Sequence, residues 1–150
     1  GVYTPQIVVD GRHAMVGHAR GRVRAALDRV RANEHAVRPR FEGGGPARVV
    51  VGSAAGVAAD TRAATVWLLA YDRRHETRVP RGENAGRTLV NHRVVRSLTA
   101  LGEWRGEPAR YPLAPGRTHP AGHDGLVVLV QLHGTGPILG AAEHVAEQAD

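Results

Sequence analysis

The 150-residue chain contains no cysteine and no lysine, and only six aromatic residues. Without cysteine there is no disulfide, no thiolate metal site and no dithiol chemistry in this chain, whatever the compartment. No apolar run approaches the ~18–20 residues of a membrane-spanning helix. The start (Gly1, Val2, Tyr3) lacks the charged-then-apolar pattern of a signal peptide. With so few aromatics, the apolar 42% is mostly Ala and Val, so few core positions can hold large anchors.

What is abundant is arginine. Its 20 copies against 14 acids give a net charge of +6. Such a balance permits binding to anionic polymers. The arginines are nevertheless dispersed along the chain, and nucleic acid is not the expected partner. Nine histidines raise a metal reading, for which His119, His123 and Asp124 form the closest grouping. Pro120 and Gly122 interrupt any shared helical face, and no His-Glu-x-x-His pattern occurs. No metal, no cofactor and no catalytic residue is therefore assigned.

The patterning predicts an α+β fold. Gln6–Asp10 is a β-branched run, and Asp10-Gly11 is a hairpin signal leading into a return strand at His13–Val16. Val23, Ala26, Leu27 and Val30 then recur at helical spacing within Ala19–Asn33. Beyond Val37 the helical period vanishes. Strands are predicted at Arg38–Glu42, Ala47–Gly52, Ala64–Asp72 and Leu126–His133, with an edge strand near Ala109–Leu113. Leu126–Leu132, apolar at nearly every position, reads as a central strand covered on both faces. Gly134–Pro137 turns it into an antiparallel partner at Ile138–Ala142. His92–Trp104 fits a helix or a strand, and its neighbours favour a strand. The reading divides the chain into a hairpin–helix unit (1–34), an antiparallel β-sandwich-like domain (37–142) and a frayed tail (143–150).

The densest charged stretch follows Tyr71. Arg78, Arg81, Glu83, Asn84 and Arg87 make a candidate anion- or partner-binding loop, because each guanidinium offers a bidentate fork to a carboxylate. The plainer alternative is that Arg81, Glu83 and Arg87 bind one another and brace a long loop, with Asn84 and Gly86 at positive φ.

The segment VYTPQIVVDGR (Val2–Arg12), a Thr-Pro pair before a strand, a hairpin and an amphipathic helix, resembles the C-terminal half of a thioredoxin fold. The runs GENAGR (Gly82–Arg87), NHRVVRSL (Asn91–Leu98) and GPILGAA (Gly136–Ala142) extend the likeness. Together they resemble the bacterial secreted, thioredoxin-like family known as domain of unknown function 1223. The resemblance implies a partial thioredoxin-like ββα unit followed by a β-rich domain, and an exported, periplasmic or secreted setting. It also implies a peptide-contacting edge at Thr4 and Pro5, where Pro5 matches a cis-proline. The half that carries CxxC in that fold has no counterpart here, so the chain reads as a fragment. The expected function is a non-catalytic peptide- or protein-binding or structural module of the cell envelope. Two alternatives stand beside it: half of a thiol-disulfide oxidoreductase completed by upstream sequence, and an anion- or carbohydrate-binding β-module. The hairpin and helix are expected to pack on the β-domain, to self-associate, or to leave an apolar patch exposed.

Overall fold

The computed structural model describes residues 5–31, 35–43, 46–54, 63–114, 116, 118 and 121–146. Its first unit follows the local signals closely. Strand β1 (Gln6–Val9) pairs antiparallel with β2 (His13–Val16). Asp10 and Gly11 between them both take positive φ, 55° and 64°. They are the central residues of a turn closed by the Arg12 N–H on the Val9 carbonyl, within a three-residue connection 10–12, and Asp-Gly supplies the positive φ at low cost. The helix α1 (Arg20–Arg31) lays the small Ala26 against the hairpin, its one buried side chain.

The remaining strands form two antiparallel sheets. In the first, β3 (Arg40–Glu42), β4 (Arg48–Val51) and β7 (Ala109–Pro112) lie in that order. The second comprises β5 (Ala64–Arg78), β6 (Thr88–Trp104), β8 (Gly125–Leu132) and β9 (Ile138–Val145), ordered β6-β5-β8-β9. Alternation sends Val66, Leu68 and Ala70 of β5 to the same face as Leu126, Val128 and Val130 of β8. All six are fully buried, packed with Val49, Val51 and Tyr111 of the smaller sheet. Each buried Val or Leu contributes roughly 1.5–3 kcal/mol. Trp104 closes one end, its Nε1–H donating to the Glu107 carbonyl at 2.7 Å.

Four expectations are corrected. The strand predicted to end at Asp72 runs on to Arg78, and β6 begins at Thr88, which also resolves His92–Trp104 as strand. The supposed long loop is thus a nine-residue turn, 79–87, at the tip of a two-stranded arm. Charged side chains on a ribbon wet on both faces leave no apolar period, so this extension carries no hydrophobic signature. The predicted tail is also partly strand: Glu143–Val145 complete β9, and Ala146 N–H donates to the Asp124 carbonyl; residues 147–150 lie outside the described set. Finally, β8 is central but is sealed on one face only. Its other face, with Val127 and Leu129 beside Trp67 and Leu69 of β5, is half-buried.

Among the described residues the hairpin–helix unit meets the larger sheet through one backbone bond, Ile138 N–H to the Asp10 carbonyl at 3.1 Å. Val8 and Leu27 stay exposed on an open apolar groove of about 420 Å³, which Ile138 and Ala141 also line. Contact with the sheet and an exposed patch, posed as alternatives, therefore occur together.

Candidate functional site

The arm is built from the far halves of β5 and β6, where Arg74 pairs with His92, Glu76 with Val90 and Arg78 with Thr88. Backbone hydrogen bonds hold its tip: Val79 N–H to the Arg87 carbonyl, Gly86 N–H to the Val79 carbonyl, and Arg87 N–H to the Asn84 carbonyl. Gly82 and Gly86 take positive φ; Asn84 does not, its carbonyl instead accepting within the turn. Every residue from Pro80 to Val90 is exposed. The bracing expected among Arg81, Glu83 and Arg87 is absent: none forms an ion pair with another described residue. Neither does Arg78.

Arg20, Arg22, Arg24, Arg29 and Arg31 of α1, with Arg38, Arg73 and Arg110, likewise form no ion pair with a described residue, whereas other arginines are paired. Arg40 and Arg48 both reach Glu42, Arg93 reaches Glu143, Arg96 reaches Asp72 and Arg105 reaches Glu103. These carboxylates neutralise the sandwich surface locally. The tip of the arm keeps three guanidiniums in water with free donors.

At the root of the arm sit two clusters outside the candidate loop; Asp72 and His75 belong to the charged stretch of the sequence, but their partner Arg96 and the group of Tyr71, Glu143 and Arg93 do not. On the outer face of the large sheet, Tyr71 donates its hydroxyl to the Glu143 carboxylate, and Arg93 donates to the same oxygen at 2.5 Å. The Arg93 guanidinium also lies 5.5 Å from the Tyr71 ring centroid, in cation–π range. The carboxylate pushes the Tyr71 phenol above its ordinary range, with burial adding to the shift. Glu143 is pulled down by the hydrogen bonds from Tyr71 and then Arg93. Beyond the bulge after Ala70, Asp72 accepts from Arg96 at 2.6 Å, with His75 Nδ1 3.2 Å away. The Arg96 bond, ahead of the His75 bond, holds the Asp72 carboxyl below its usual value. Asp72 and Arg96 line a small cavity of about 70 Å³ with Ala121, Gly122 and His123. Asp124 accepts the Arg73 backbone N–H at 2.7 Å, tying this loop to the arm.

These shifts keep the carboxyls ionised and the phenol protonated around neutrality. Chemically, the clusters are struts that brace the root of the arm. Among the described residues no group of three His, Asp or Glu could hold a metal ion. His119 and Thr4 lie outside the described residues. Pro5 is exposed at the entrance to β1, its carbonyl accepting Gly17 N–H at 2.7 Å, in a sheet separate from the arm. No helix among the described residues is long and apolar enough to cross a membrane.

Residues 1–131 match the family described as protein of unknown function (DUF1223). The chain belongs to the DUF1223 family. The arm falls wholly inside the matched region, whereas all of β9, including Glu143, follows it. Among solved structures, this DUF1223 chain is similar to the crystal structure of an Agrobacterium tumefaciens protein, with a TM-score of 0.70 and 20% sequence identity. The similarity covers 100% of the present chain and 65% of the other, and it concerns the fold alone. No curated protein matches the chain.

Proposed function

We propose that this DUF1223 chain is a non-catalytic binding module that holds an acidic peptide or protein segment with the tip of its β5–β6 arm. The observation that carries the reading is the grouping of three unpaired arginines on one exposed, hydrogen-bonded turn. Arg40, Arg48, Arg93, Arg96 and Arg105 are engaged by carboxylates of the same chain, whereas Arg78, Arg81 and Arg87 at the tip have no ion-pair partner among the described residues. A cationic, solvated, rigidly hydrogen-bonded turn is suited to bidentate carboxylate recognition. The lack of any thiol removes the nucleophile needed for disulfide exchange. The perturbed groups at the root are shifted away from neutral pH, the opposite of what acid–base catalysis uses. An exported, cell-envelope setting follows from the resemblance to secreted thioredoxin-like proteins.

The test is fluorescence anisotropy with a labelled deca-glutamate peptide. Binding that weakens about tenfold or more in the Arg81→Ala, Arg87→Ala double variant, and not in Arg40→Ala, supports the proposal. Heparin binding with the same dependence, and none to the peptide, would transfer the site to sulfated polysaccharide. No binding to either overturns the reading.

The greater length of the Agrobacterium chain, of which this one spans 65%, favours a second reading. Here the module serves as the non-thiol part of a longer oxidoreductase whose CxxC lies outside these residues. Insulin reduction that appears only when the chain is joined to such a segment would support it.

A further inference from the structure

We infer that the outer edge of β6 in the arm, Thr88–His92, is a strand-addition site for an extended acidic segment of another protein. The inference rests on the acidic-partner reading and adds the mode of binding.

β6 lies at the edge of its sheet, with β5 on one side and no described strand on the other. Val79 N–H donates to the Arg87 carbonyl, which sets the phase of the arm's ladder. Alternation in an antiparallel pair then turns the N–H and C=O groups of Thr88, Val90 and His92 outward, away from β5. This is a template for one more strand. Four of the seven exposed large hydrophobics among the described residues, Leu89, Val90, Val95 and Leu98, lie on this one strand. Leu89 and Val90 are 46% and 44% exposed, one on each face of the ribbon.

Two features confine the site to the arm. Further along β6, Arg96 and Leu101 have no partner on β5, and the resulting irregularities break the regular edge. Arg93 also takes a positive φ of 52°. Thr88–His92, by contrast, pairs in unbroken register with Arg74–Arg78.

Charge selects the occupant. Pairing with a second copy of this arm would bring Arg78, Arg81 and Arg87 of both copies together, three guanidiniums against the one carboxylate, Glu83, in each tip. An acidic strand meets the same guanidiniums with opposite sign. Because Arg78 and Val90 share one face and Leu89 occupies the other, the favoured segment alternates. Its carboxylates fall on the Arg78 face and its apolar side chains beside Leu89.

The experiment uses an acetylated nine-residue peptide alternating glutamate and valine, the same peptide with alternate backbone amides N-methylated, and the Val90→Pro variant. Proline at position 90 removes an outward donor and leaves the β5 ladder bonds in place, which an unchanged melting temperature would confirm. Support requires binding of the plain peptide, with about tenfold or greater loss on N-methylation of the edge-facing amides and in Val90→Pro. If Val90→Pro disturbs the fold, the N-methylated peptide decides the question with the protein unaltered. Equal binding of plain and methylated peptides overturns strand addition and leaves acidic-partner binding standing. Binding of a valine–threonine peptide but not the glutamate one overturns the acidic requirement in both readings. A dimer in sedimentation that Val90→Pro abolishes makes the occupant a second copy and overturns the inference.

Discussion

Tyr71 reaches across β8 to donate its hydroxyl to Glu143 on β9, and the residue it crosses is Gly125. A methyl group at position 125 would fall 2.5–2.6 Å from the Tyr71 hydroxyl and ring, closer than any real contact allows. The glycine is there to let an aromatic ring lie flat over a neighbouring strand.

Gly125→Ala is accordingly expected to destabilise the fold by roughly 1–3 kcal/mol, the usual range for overpacking. Chemical denaturation measures it. A Tyr71→Ala background should absorb most of that cost, and a cycle showing additive losses would refute the contact.

The same bond gives stability two pH limbs. Glu143 titrates lower in the folded chain than its ordinary value of 4.5, so its contribution is complete above that value and is lost as pH falls through the lower one. Tyr71 titrates higher than its ordinary 10.0, so its contribution is complete below pH 10.0 and is lost as pH rises through the higher one. Melting temperature against pH should show a neutral plateau with both shoulders. Glu143→Gln should flatten the acid shoulder in part, Asp72 and Glu42 supplying the remainder, and Tyr71→Phe should flatten the alkaline one in part, Tyr111 supplying the rest.

Trp104 anchors the opposite end of the core with 1% of its surface exposed. Trp104→Phe keeps an aromatic ring but removes the donor to the Glu107 carbonyl, for an expected loss of about 1–3 kcal/mol. Trp104→Ala should cost about 3–5 kcal/mol. Near-equal denaturation midpoints for Phe and wild type would show that the hydrogen bond contributes little.

Replacing Arg81 and Arg87 with alanine should leave stability within about 0.5 kcal/mol, since neither side chain is paired or buried. A drop in melting temperature of several degrees would mean that the tip has a structural role.

Much of this architecture is readable in the chain because its signals are local. Asp10-Gly11 announces a turn that the backbone adopts with both φ values positive. The apolar run Leu126–Leu132 marks the strand between β5 and β9, and Val23, Ala26, Leu27 and Val30 mark the helix. The arm is hidden because its strands have water on both faces, so hydrophobic alternation has nothing to report. Arg78, Arg81 and Arg87 stand out by charge alone; that they are unpaired depends on the fold. Glu143 is invisible for a different reason. Its meeting with Tyr71 spans 72 positions of sequence and follows from the registers of two strand pairs. Only the small residue at 125 hints at it, and glycine at a strand's start has many other uses.

The arm is also an uninterrupted prolongation of β5, the strand that carries Val66, Leu68 and Ala70 into the core. A pull applied at its tip drags β5 lengthwise against β8, loading their eight paired positions in shear together and not peeling them one by one. Whatever is held out there is mechanically stiffly coupled to the interior, as a handle is to its blade.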